Sequence, residues 1–111
     1  MRLICLLSAG VLMLAGCASP ALRSDCLKRQ QRVQQVASLA ARELRAGETA
    51  DEVRALLGNP DEIVAARGLG DFDIWKYYLL EDCRAHLGLS APTTELFFLD
   101  GNLVKWTTTA P

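Results

Sequence analysis

The chain has 111 residues, which is enough for one small domain. Its 12 basic and 13 acidic side chains give a formal net charge of −1, without the basic excess of nucleic-acid-binding proteins. Half of the residues are hydrophobic, but many of these form one run between Leu3 and Leu14. We therefore expect a single domain that has no nucleic-acid partner.

The first residues follow the pattern of an export signal. Met1 and Arg2 give a positive start, and the apolar run after them is shorter than the ~20 residues that a membrane-spanning helix needs. This predicts a signal peptide over residues 1–16. The sequence Leu-Ala-Gly-Cys at positions 14–17 resembles the lipobox of bacterial lipoproteins. That resemblance implies that Cys17 becomes lipidated; an ordinary secretory signal with a chance cysteine is the alternative.

A lipidated Cys17 would carry three acyl chains, palmitate among them, and would hold the protein firmly on a membrane. Ala18 and Ser19 follow it, without the aspartate that resembles an inner-membrane retention signal. We therefore expect the periplasmic face of the outer membrane, with residues 17–24 as a tether. The basic residues near this anchor are expected to form a solvated helix face, and attraction to acidic lipid head groups is the alternative. These basic residues are Arg23, Lys28, Arg29 and Arg32.

The cysteines indicate one disulfide. Cys5 leaves with the signal and Cys17 takes the lipid, so Cys26 and Cys83 remain. An even pair in an oxidising periplasm most simply forms a disulfide, and closing so long a loop contributes ~4 kcal/mol in the chain-entropy model. Two unpaired thiols are the alternative.

Two helices are predicted in the first half of the domain. Asp25 can cap a helix that runs to Ala46, because apolar residues then recur at spacings of three and four. The sequence from Thr49 to Glu52 fits a capping box, and Gly58 followed by Asn59-Pro60 ends this second helix.

Three strands are predicted in the second half, at residues 72–80, 94–99 and 103–108. Asp100-Gly101-Asn102 is a hairpin signal, because Gly101 can take a positive φ without steric cost. Residues 63–66 are at most a short extended piece, and residues 82–92 are expected to form a loop. The order of the elements indicates an α+β domain over residues 25–111.

No catalytic or metal-binding constellation is apparent. Asp82-Cys83-Arg84-Ala85-His86 is the densest cluster, but a zinc site needs three or four ligands and a cysteine nucleophile needs a positioned base. Asp71 and Asp73 would lie on one face of a strand, where such residues usually keep a strand end soluble. We therefore expect no enzyme, no cofactor, no metal and no small-molecule substrate.

The stretch from Gly47 to Pro60 resembles the SmpA/OmlA (BamE-like) family of outer-membrane lipoproteins. That family has a glycine, a threonine that opens a short helix, and then leucine-glycine-x-proline. Later it has a tryptophan-aromatic strand, matched by Trp75-Lys76-Tyr77, and a hairpin, matched by residues 98–103. The resemblance implies two helices packed on a three-stranded antiparallel sheet. It also implies a non-catalytic protein that binds other envelope proteins, as in β-barrel assembly.

The expected function is therefore binding or scaffolding of envelope proteins. Because the strand at residues 72–80 carries apolar residues on both faces, four of them are candidate protein contacts: Phe72, Ile74, Tyr78 and Leu80. The alternative is that the first helix and the loop at residues 82–92 cover them. An alternative function is inhibition or regulation of an envelope enzyme, since the predicted unit also resembles the repeat of β-lactamase inhibitory proteins.

Overall fold

The computed structural model describes residues 20–68 and 70–111, and within them the α+β class is confirmed. The predicted signal peptide, the sequence that resembles a lipobox and Cys17 lie outside the described residues. In chain order the elements are α1 (Pro20–Glu43), α2 (Ala50–Leu57), β1 (Glu62–Arg67), β2 (Asp71–Tyr77), α3 (Glu81–Leu87), β3 (Thr93–Leu99) and β4 (Asn102–Thr109).

The sheet has four strands in the order β1-β2-β3-β4, each antiparallel to its neighbours. The prediction of three strands was therefore wrong by one, because β1 forms where only a short extended piece was expected. Its sequence, Glu-Ile-Val-Ala-Ala-Arg, lacks the alternation of polar and apolar residues that marks a half-buried strand. β1 forms because it pairs with β2. In this pairing Ile63, for example, lies opposite Trp75.

A third helix, α3, occupies much of the predicted loop at residues 82–92, so the prediction of two helices was also wrong by one. Seven residues are too few to show a clear helical repeat in the sequence. Glu81 and Asp82 lie in the first turn of α3, where the helix dipole favours negative charge. Gly88 ends the helix in the left-handed conformation, with φ of 66°.

The first helix differs from its prediction at both ends, since α1 is described from Pro20 to Glu43 rather than from Asp25 to Ala46. Asp25 is thus inside the helix and does not cap it. Residues 20–25 have exposed side chains, and so no apolar repeat marks them as helical in the sequence. The segment predicted as a tether is therefore helical from Pro20 onwards.

The capping box of α2 and the hairpin between β3 and β4 are confirmed. The Glu52 N–H donates to Thr49 Oγ1 at 3.2 Å, and the Thr49 N–H donates to Glu52 Oε1 at 2.8 Å. In the hairpin, Asp100 and Gly101 have φ of 51° and 84°. Two consecutive positive φ angles match the tight turn that suits the twist of antiparallel strands.

The core has two parts, and α1 contributes to both. The larger cluster lies between α1, α2 and one face of the sheet, and comprises Val36, Ala40, Leu44, Val53, Leu57, Trp75, Tyr77, Leu96, Phe98 and Leu103. The smaller one, here called the disulfide cluster, comprises Cys26, Val33, Leu79, Cys83 and Ala91. Within it Cys26 and Cys83 are joined by a disulfide, with an S–S distance of 2.08 Å.

A polar junction ties α1 to the sheet beside the larger cluster. Arg32 Nη2 lies 2.8 Å from Asp61 Oδ1, and the Tyr78 N–H donates to Asp61 Oδ2 at 2.9 Å. The buried Tyr77 hydroxyl donates to the Gly58 carbonyl at 2.8 Å. Desolvation raises the pKa of Tyr77, because the phenolate would lose most of its hydration.

Candidate protein-binding surface

Helices α1 and α2 pack on one face of the sheet, and in the described part of the chain the two core clusters contain no strand residue of the opposite face. Side chains alternate along β2, so that Trp75 and Tyr77 are buried under α1 and α2 while Ile74 and Lys76 point the opposite way. The strand register extends this second face, here called the open face, across all four strands.

One half of the open face is apolar. Val64 faces Ile74, Ile74 faces Phe97, and Phe72 faces Leu99 across neighbouring strands. These five residues are here called the open-face patch. The Phe72 and Phe97 rings have centroids 6.2 Å apart, and Leu99 is 41% exposed while the other four residues are half-buried. Lys105 places its Nζ atom 4.8 Å from the centre of the Phe97 ring, so that the cation lies over an aromatic face.

Of the four contact residues expected from the sequence, the structure brings two together. Phe72 and Ile74 are both in the open-face patch. Tyr78 lies just beyond the end of β2, where its hydroxyl donates to Glu62 Oε1 at 3.2 Å. Leu80 packs against the disulfide cluster and so belongs mainly to the core.

Three residues of the open-face patch were not predicted from the sequence, namely Phe97, Leu99 and Val64. A signal for the first two was present, because Leu96 and Phe98 alternate with Phe97 and Leu99 along β3. That alternation places two large apolar side chains on each face of the strand. Val64 could not be found in the same way, because β1 itself was not recognised as a strand.

The other half of the open face is polar and borders a cleft. Lys76 Nζ lies 3.8 Å from Glu95 Oε2, and Glu62 accepts the Tyr78 hydrogen bond beside them. The cleft has a volume of about 560 Å³, and α3 contributes Arg84 to its wall. Desolvation raises the pKa of Tyr78, and the hydrogen bond to Glu62 raises it further.

The Asp82–His86 cluster contains one of the two cysteines of the disulfide. Cys83 is buried and bonded to Cys26, so it carries no thiol that could act as a nucleophile. His86 Nε2 lies 3.9 Å from Asp82 Oδ1 on the exposed side of α3. Asp71, at the start of β2, is linked to Asp100, in the turn between β3 and β4, because the Asp100 N–H donates to the Asp71 carbonyl at 2.7 Å. In residues 20–68 and 70–111, no group of three metal-ligating side chains is present.

The basic residues near the predicted anchor have two different environments. Arg23, Lys28 and Arg29 are exposed on α1, whereas Arg32 is half-buried and pairs with Asp61. Arg32, Lys28 and Arg29 border a shallow surface depression together with Asp25. None of the described helices combines the length and the apolar character needed to cross a membrane.

Comparison with models of known protein families finds no match for this chain. Neither the curated proteins nor the solved structures provide a relative.

Proposed function

We propose that this protein is a lipid-anchored envelope protein of the SmpA/OmlA (BamE-like) type, which binds other proteins through its open face and performs no catalysis. The observation that carries the proposal is the Leu-Ala-Gly-Cys sequence directly after an apolar run at the N-terminus. A lipid on Cys17 would hold the domain on the periplasmic face of the outer membrane.

Two features of the described residues support this proposal. The disulfide between Cys26 and Cys83 suits an oxidising compartment outside the cytoplasm. The open-face patch leaves apolar side chains partly uncovered on one face of the sheet, and contiguous apolar patches of this kind often mark protein-binding sites.

The lipid anchor can be tested by growing cells that express the full chain with labelled palmitate. We expect label in the wild-type protein and none in Cys17→Ser, which should also leave the membrane fraction or keep its signal peptide. Masses that differ only by the exchange of sulfur for oxygen, together with the same membrane fractionation of both proteins, would contradict the anchor.

The binding surface can be tested with a matched pair of variants. Leu99 in the open-face patch and Leu27 on α1 are each 41% exposed, so the two positions are matched in exposure and neither belongs to the core. We expect Leu99→Asp to lose proteins that co-purify with the wild-type chain from detergent-solubilised outer membranes, and Leu27→Asp to retain them. If both variants captured the same proteins in equal amounts, the open face would not be the contact surface.

The identity of the captured proteins separates the two candidate functions. Subunits of the barrel-assembly machinery would support scaffolding. A periplasmic hydrolase, inhibited when the purified chain is added, would support the inhibitor alternative.

A further inference from the structure

The two edges of the sheet differ in how well they are protected. At β4 the Gly47 N–H donates to the Leu103 carbonyl at 2.7 Å, and the Leu103 N–H donates to the Glu48 carbonyl at 2.8 Å. The segment before α2 therefore covers the start of that edge. β1 pairs with β2, and in the described part of the chain no segment pairs with its outer side. Alternate N–H and C=O groups of β1 thus point outward, as at any unpaired sheet edge.

β1 also leaves apolar side chains uncovered on both of its faces. Ile63, on the same side as Trp75, is 50% exposed. Val64 is half-buried in the open-face patch, and Ala65 and Ala66 are exposed. The strand contains no proline and no described bulge, and its two charged residues, Glu62 and Arg67, lie only at its ends, so its middle has none of the features that commonly prevent an edge from pairing.

The sequence of β1 is compatible with antiparallel pairing to itself. A continuous sheet requires that both copies turn their open faces to the same side, so residues on the same face must meet. In one such register Val64 faces Val64 of a second copy, Ile63 faces Ala65, and Glu62 faces Ala66. Apolar residues then meet near the two-fold axis. The two Glu62 positions stay four residues apart along the strands, which is about 13 Å at the usual rise per residue.

We propose that β1 is a homodimer interface, in which two copies pair along this strand and form one continuous eight-stranded sheet with Val64 on the two-fold axis. The proposal uses the edge of the sheet and does not depend on the lipid anchor or on the partners of the open face. A single strand pair buries less surface than the ~1,000 Å² typical of stable interfaces, so the dimer should dissociate on dilution.

Cross-linking of the full chain tests the register. Val64→Cys places two thiols across the axis at a Cα separation that a disulfide can bridge. Val104→Cys on β4 is the control, because Val104 is also on an edge strand and is 46% exposed. We expect mild oxidation to convert most of the Val64→Cys chain, and little of the control, to a disulfide-linked dimer on a non-reducing gel. Equal cross-linking of the two variants would overturn the proposal.

Wild-type protein under the same conditions gives the background. The described cysteines are all paired, so a wild-type dimer would report an unlipidated Cys17 and would contradict the anchor rather than the interface.

Sedimentation in mild detergent tests the dimer without cross-links. The wild-type chain should approach twice its monomer mass as the concentration rises. Val64→Lys should remain monomeric, because two cations would meet on the axis. Val104→Lys should behave as the wild type does. A wild-type chain that stays monomeric at every concentration would exclude the interface, and circular dichroism checks that each variant is folded.

Discussion

At the scale of single residues, Asp61 has the most connected side chain of the polar junction. Its carboxylate is 9% exposed and accepts hydrogen bonds from Arg32 on α1 and from the backbone of Tyr78. One atom of the partner, Arg32 Nη1, is buried without a hydrogen bond. The ion pair with Asp61 is therefore the main compensation for placing this guanidinium beside the sheet.

We expect Asp61→Asn to lower the free energy of unfolding by about 1–3 kcal/mol, because it removes the charge that balances Arg32 and one acceptor for Tyr78. The 39% exposure of the Arg32 side chain puts the effect towards the lower end of that range. Urea denaturation measures the change. Asp51→Asn is the control, since that carboxylate is 98% exposed and lies 3.5 Å from Arg54. Equal effects of the two substitutions would contradict the role assigned to Asp61.

The buried Tyr77 predicts a loss of stability at alkaline pH. Its pKa is raised above the ordinary value of 10.0, chiefly by desolvation, so above about pH 10 the unfolded chain loses a proton that the folded chain keeps. The free energy of unfolding should then fall by up to about 1.4 kcal/mol per pH unit from this residue.

Chemical denaturation between pH 8 and 12 checks this expectation. Tyr77→Phe should be less stable at neutral pH, because the hydrogen bond to Gly58 is lost, but should show a shallower alkaline decline. An unchanged alkaline slope in this variant would assign the decline to other groups.

At the scale of elements, the sequence predicted those whose ends carry local signals. The capping box of α2 and the turn at Asp100-Gly101 depend on contacts within four residues, and both are confirmed. β1 and α3 were missed because each depends on a distant partner. β1 is stabilised by pairing with β2, and α3 is held by Cys83 against α1.

The residues of the open-face patch show the same difference between local signals and distant partners. Phe72 and Ile74 were predicted from alternation within one strand. Their association with Phe97 and Val64 depends on strand register, which the sequence of a single strand does not specify. Leu80 was assigned to the surface because the prediction extended β2 to it, whereas β2 ends at Tyr77 and the chain turns into α3.

The disulfide predicts a local effect on α3. We expect replacement of Cys26 and Cys83 by Ser to lower the free energy of unfolding by about 2–4 kcal/mol. Amide exchange should rise most in residues 79–91 and in the first half of α1, because these segments share the disulfide cluster. Hydrogen exchange with mass spectrometry measures both effects, and digestion without reductant shows whether the native chain carries the bond. A uniform rise across the sheet would contradict a local role.

At the scale of the whole molecule, the two apolar clusters give α1 two separate attachments. Val36 and Ala40 of α1 pack in the larger cluster, and Cys26 and Val33, which precede them along the helix, pack in the disulfide cluster. In the described part of the chain, α1 and α2 therefore pack on one side of the sheet, and the open face lies on the other side. Binding of the proposed partner at the open face would therefore leave the packing of both clusters unchanged.

The position of the disulfide has a mechanical consequence. Tension applied to the chain before Pro20 would first unwind the exposed turn of α1 that precedes Cys26. The bond to Cys83 would then pass the load to the segment that connects β2 with β3 in the middle of the sheet. The part of α1 after Cys26 would carry no tension, because the load leaves the helix through the disulfide. The larger cluster would therefore not be unfolded one residue at a time from its N-terminal side. When the domain is pulled from its N-terminal end, the chain would therefore lengthen only by the few residues before Cys26 until the disulfide bears the force.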